Sequence, residues 1–270
     1  MIAARFRLAA LTFLGAGATA ALLSLGNAAY GAETAASTAR IAATDHAPAA
    51  SQSQNTPGTL PDISPATTPA PVVESTDVKP GDRWVFTITD DITGDVMRTM
   101  TATVTENQGQ SITAQLAYLE ASAPAGTAPK QLTIVFDEAW NTLSDGVWTW
   151  KPGSPMTGIK LPLKLGAQWA TKMAVSRLTP NLSYTQTATS KVTSWDHIKL
   201  ASGLEYDAYR IEVTTRARQN PQRLLEAKST FWYAPEVNHV VWHIEENRLN
   251  GRLTERFVQS LTDYKRRSDN

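Results

Sequence analysis

The residues best suited to acid–base or metal chemistry are four histidines and the acids near them. His239, His243 and Glu245 fall on one face of the run Asn238-His239-Val240-Val241-Trp242-His243-Ile244-Glu245. On a helix, His239 and His243 could share a zinc ion. Val240, Val241, Trp242 and Ile244 indicate a strand instead, and four residues of strand span about 13 Å. Two ligands that each reach about 2 Å cannot then meet on one ion, so no metal site is assigned. His197 follows Asp196, and neighbours on a strand point to opposite faces, which makes a poor acid–base pair. His46 lies in a Pro-, Ala- and Thr-rich stretch with no fixed partner. Asp90-Asp91 precede Gly94 in a turn, and Glu245-Glu246 divide across a sheet, so neither is a paired-carboxylate site. The chain has no Gly-x-Ser-x-Gly elbow, no Ser-x-x-Lys and no glycine-rich phosphate loop. With no cysteine, thiolate catalysis, disulfides and Cys-ligated metals are excluded. The expectation is a non-enzymatic protein with no catalytic residue and no cofactor.

Tryptophan is the remaining candidate for a binding role. All eight lie at or after Trp84. Trp84, Trp169, Trp232 and Trp242 occupy strand positions and are expected in the core. Trp148 and Trp150 share one face of a short strand that ends at Lys151-Pro152-Gly153. There they could line the rim of a cavity, and these two are the ligand-binding candidates.

The elements that must position these residues are strands. Trp84, Phe86 and Ile88 alternate with Val85, Thr87 and Thr89. Met100, Ala102 and Val104 alternate with threonines, and Ile112, Ala114, Leu116 and Tyr118 with Ser111, Thr113, Gln115 and Ala117. Period-two alternation of this kind marks antiparallel strands with one buried face. The second half continues it through Ser183–Trp195, Tyr209–Val213, Phe231–Tyr233 and Val240–Ile244. Asn250-Gly251 between two such runs predicts a closing hairpin, because both central residues of that turn need positive φ. The fold class is all-β and mainly antiparallel: a meander forming a cupped half-barrel or open barrel, with little helix.

Lys79-Pro-Gly81-Asp-Arg-Trp84 resembles Lys164-Leu-Gly166-Ala-Gln-Trp169, both reading Lys-x-Gly-x-x-Trp. Each precedes a Thr-rich strand region closing on Val-Thr, at Val104-Thr105 and Val192-Thr193. Either two duplicated halves, 79–163 and 164–264, pack together, or the match is chance at a common kind of turn. Duplication predicts that Trp84 and Trp169 are both buried.

The ends of the chain speak to compartment. Arg5 and Arg7 precede an uncharged Ala-, Leu- and Gly-rich run from Leu8 to Leu25, followed by small residues through Ala32. This is the order of a signal peptide spanning residues 1–31, with cleavage after Gly31 or Ala28. An uncleaved anchor is the alternative that length alone permits. Removing Arg5 and Arg7 leaves 23 basic against 25 acidic residues, a net of −2. A near-neutral chain has no electrostatic reason to bind nucleic acid. No later segment is apolar enough to span a membrane, so the mature chain is expected to be soluble, either periplasmic or secreted. Residues 32–78 are Ala, Thr, Ser and Pro with no aromatic after Tyr30. They read as a disordered spacer, either a tether or a tolerated extension, dispensable for folding. A β domain follows over 79–264, and a solvated basic tail over 265–270.

Phe231-Trp232-Tyr233-Ala234-Pro235-Glu236-Val237, then Val240-Val241, resembles a motif of uncharacterised bacterial envelope proteins. In them a strand ending Trp-Tyr enters a Pro-Glu-Val turn and an apolar return strand. Leu161-Pro-Leu-Lys-Leu-Gly166-Ala-Gln-Trp169 is similar to their Pro-Leu-x-x-Gly-x-x-Trp segment. The resemblance implies architecture like the cupped sheets of the LolA/LolB lipoprotein carriers, without LolB's lipidated cysteine and with no carrier residue to transfer. Two functions follow as expectations. One is a periplasmic module binding an apolar or lipid-like small molecule in a cupped sheet. The other is an envelope assembly protein with a filled core that docks a protein partner. A cavity of several hundred Å³ would favour the first, and a face closed by Trp and Tyr the second.

Overall fold

In the computed structural model, residues 60–177, 181–220 and 222–267 are described. The expected signal peptide and residues 32–59 of the expected spacer lie outside them. Thirteen strands follow in chain order. They are β1 (Asp62–Pro65), β2 (Arg83–Asp90), β3 (Val96–Asn107), β4 (Ser111–Glu120), β5 (Lys130–Asp137), β6 (Thr142–Ser144) and β7 (Trp148–Ser154). Then come β8 (Gln168–Arg177), β9 (Leu182–Lys199), β10 (Glu205–Asn220), β11 (Arg223–Ala234), β12 (His239–Leu249) and β13 (Arg252–Lys265). One short 3-10 turn, Pro235–Val237, joins β11 to β12.

Each strand from β2 to β13 pairs antiparallel with the next, and β13 pairs back onto β2. The sheet is therefore an up-and-down barrel of the all-β antiparallel class expected, with its ring complete. Alternation sets which side is inside. Trp84, Phe86 and Ile88 on β2 and Ile112, Ala114, Leu116 and Tyr118 on β4 are buried. The alternate positions, Val85, Thr87 and Thr89 on β2 and Ser111, Thr113, Gln115 and Ala117 on β4, face out. A polar outside and an apolar inside is the reverse of a membrane-spanning barrel. Among the described residues no helix is long and apolar enough to cross a membrane.

A ring of twelve strands encloses more width than an eight-stranded one, and connecting segments help fill it. Trp140, Met156, Ile159 and Leu163, all from connections at one end, are buried. Trp140 adopts φ 63°, a left-handed conformation costly for a bulky residue. Asp137 holds it there by accepting from the backbone N–H of Ala139 and Asn141. That end is plugged. The other end carries the hairpin turns, including Asn250-Gly251, whose φ values of 51° and 79° confirm the expected tight turn.

Three expectations need correction. First, Leu60 to Val78 is not spacer. β1 pairs with Asp196–Lys199 of β9, Val73 exchanges backbone hydrogen bonds with Leu163, and Val78 is buried. This strap crosses the plugged end. Its composition is poor in apolar residues, but it needs few of them, because its anchors are backbone groups and the tips of Trp195 and Tyr209. Second, the basic tail is not simply solvated. β13 runs through Lys265, Arg266 pairs with Asp77, and the Arg267 N–H donates to Asp82. Third, Trp84 is fully buried but Trp169 is only half-buried. Both point inward, yet Trp169 starts a strand whose neighbours leave its edge uncovered.

Candidate functional site

The barrel interior changes character along its axis. At the plugged end it is aromatic. The Trp84 ring lies 5.6 Å from Trp140 and 4.9 Å from His239. Trp84 Nε1 donates to the Val237 carbonyl and Trp140 Nε1 to that of Asn238, so both indoles are satisfied. A cavity lined by Phe86, Met100, Leu116, Phe136, Trp140 and His239 measures about 30 Å³. That is room for water, far below the several hundred Å³ of a ligand pocket.

Halfway up, the interior turns polar. Register places Ser229 of β11, Glu245 of β12 and Phe257 of β13 side by side. Ser229, His243, Glu245 and Asn247 are all buried. Glu245 accepts from Asn247 Nδ2 at 2.8 Å and Ser229 Oγ at 3.3 Å. His243 Nε2 lies 3.5 Å from Glu245 without a hydrogen bond, and its ring packs between Phe231 and Phe257. Burial pushes the Glu245 carboxyl up to about 7 and His243 down to about 4. The carboxyl therefore holds a proton more tightly than the imidazole, and in its protonated form Glu245 faces His243 Nε2 with a donor. The contacts differ from those of a serine–histidine–acid triad: the carboxyl, not the imidazole, touches Ser229.

A prediction follows from the sign of this shift. A carboxyl with an ordinary value of 4.5 and a folded value of about 7 binds its proton more tightly when folded. Its contribution to stability is present below pH 4.5 and is lost as pH rises toward 7. His243, lowered by burial, acts in the opposite sense, losing its contribution as pH falls from 6.5 toward 4. A difference measurement isolates the glutamate. The melting temperature of Glu245→Gln minus that of the wild type is expected to grow from pH 5 to pH 8. A difference flat with pH would show that the buried carboxyl does not titrate in this range.

The residues singled out in the sequence are scattered. His239 contacts Trp84, Phe86 and Trp140 in the plug, while His243 sits deeper along the strand, past a bulge between the paired positions of β11 and β12. Glu246 turns outward to Arg248. Asp196 accepts from Trp232 Nε1, whereas His197 pairs with Asp207. Trp150 is buried in the wall beside Val175. Trp148 is half-buried toward the turn end, where its ring meets Tyr184 at 5.8 Å and Arg177 at 5.5 Å. The polar cluster on Ser229, His243, Glu245 and Asn247 was missed. Its only signal was polar residues at inward positions of a strand, His243, Glu245 and Asn247 in alternation.

No protein-family model matches the sequence, and no curated protein matches it. The solved structures that match part of this chain include two. One is a Bacteroides fragilis protein described as exported and as having a YmcC-like fold, with 10% identity over 72% of this chain and 100% of that one, at a TM-score of 0.46. The other is the hypothetical lipoprotein YmcC from Escherichia coli, with 11% identity over 68% of this chain and 85% of that one, at a TM-score of 0.36.

Proposed function

We propose that this chain is an exported, non-enzymatic protein of the cell envelope that acts through its outer surface, docking a protein partner rather than carrying a lipid inside. The observation that carries the reading is how closely the plugged half of the interior is packed among the described residues. Trp84, Phe86, Phe231 and Tyr233 are fully buried, and the cavity between the aromatic walls is water-sized. An acyl chain would have to displace packed side chains at several kcal/mol. Export is supported by the arginine-flanked apolar run before Ala32.

Native mass spectrometry of protein recovered from the periplasmic fraction tests both parts. The expected species begins at Ala32 or Ala29 and carries no lipid. A stoichiometric acyl-chain adduct would restore the carrier reading, and an intact Met1 in the membrane fraction would overturn export by cleavage.

A further inference from the structure

From the segregation of charge at the turn end, we infer that the arc formed by the β8–β9, β10–β11 and β12–β13 hairpins is a docking surface for an anionic lipid bilayer. Resting on the reading that the outside of the barrel does the work, this inference names a second contact beside the protein partner. The chain is neutral as a whole, but the charges of its turn end are segregated. Among the described residues, 175–177, 181–185, 214–220, 222–226 and 246–256 hold seven arginines and three glutamates, with no aspartate or lysine. The opposite arc, residues 88–98, 118–132 and 143–149, holds five acids and two basic residues. The rim is therefore bipolar, and Arg256 bonded to Asp91 marks the seam between its halves.

The basic arc also exposes Leu182 and Leu253, each at the start of a strand beside a turn. Leucines at loop tips, ringed by arginines whose stems can lie along apolar surface, suit the headgroup boundary of a bilayer. The surface is also held rigid. Asn250 accepts from the Leu224 N–H and donates to the Gln222 carbonyl, tying the β12–β13 turn to the β10–β11 turn.

Vesicle flotation with the mature chain tests this. Vesicles containing phosphatidylglycerol are expected to carry the protein up the gradient, less so as ionic strength rises, while pure phosphatidylcholine vesicles are not. Arg218→Glu with Arg252→Glu should weaken binding at least about a hundredfold, since each basic residue near such a surface contributes strongly. Leu253→Asp should weaken it about tenfold. Lys160→Glu, at the plugged end, should bind as the wild type does, and unchanged circular dichroism will show that each variant folds. Equal binding to neutral vesicles overturns the inference, as does wild-type binding by the double arginine variant. Flotation with neither vesicle also overturns it and leaves the arc to an acidic protein. None of these results bears on whether lipid occupies the interior, which the mass measurement decides separately.

Discussion

Trp84→Ala is expected to cost about 3–5 kcal/mol in urea unfolding, the range for removing a large aromatic from a core. Trp84 is fully buried. Its ring stacks on Tyr264 at 5.6 Å and meets Trp140 edge-on. Its indole N–H satisfies the Val237 carbonyl of the 3-10 turn, so alanine leaves both a void and a buried acceptor without its donor. Trp169→Ala at the matching place in the second half should cost about half as much or less, because its side chain already sees water. Equal losses at the two sites would mean that the second half closes over Trp169 in solution.

A chain beginning at Val78 is expected to be about 3 kcal/mol less stable than one retaining the strap, a fall of roughly 6–12 °C in melting temperature for a domain of this size. Deletion removes the buried Val73 with its two backbone bonds to Leu163. It strips the Tyr209 hydroxyl of the Pro71 carbonyl and the Trp195 indole of Thr68. It also leaves the edge of β9 at Asp196–Lys199 unpaired. The entropy saved by not ordering these residues is the opposing term. If the two chains melt together, the strap's contacts do no more than offset that entropy. Single variants separate the terms: Tyr209→Phe should recover little of the loss, Val73→Ala more.

The barrel strands were legible because threonine and apolar residues alternate on them with hardly a break, and a pleated wall with water on one side demands that pattern. The repeated Lys-x-Gly-x-x-Trp was legible too, and its local structure repeats. Gly81 and Gly166 both have positive φ. Gly81 N–H donates to Val104 and Gly166 N–H to Val192. The N–H of Val104 and of Val192 then returns the bond to the residue after each glycine. We propose that the halves 79–163 and 164–264 are duplicates on this ground, with Trp169 having lost its cover. The strap was illegible because composition reports how much apolar surface a segment could bury by itself. It says nothing of backbone groups that a neighbouring sheet edge will pair. The Glu245 cluster was illegible for a related reason. A strand pattern shows that a residue faces inward, but the cost of an inward carboxyl depends on Ser229 and Asn247, and Ser229 comes from another strand.

The seam between β13 and β2 bears on the order in which the barrel can form. Every other neighbouring pair in the ring is also neighbouring in the chain, so eleven hairpins can zip locally at little loop-closure cost. The last pairing joins residues 83–90 to 257–265, and nothing local can substitute for it. A chain emerging from its N-terminus holds one edge of β2 unpaired until β13 arrives, so the ring stays open and Trp84, Phe86 and Ile88 lack part of their cover until the final strand is free.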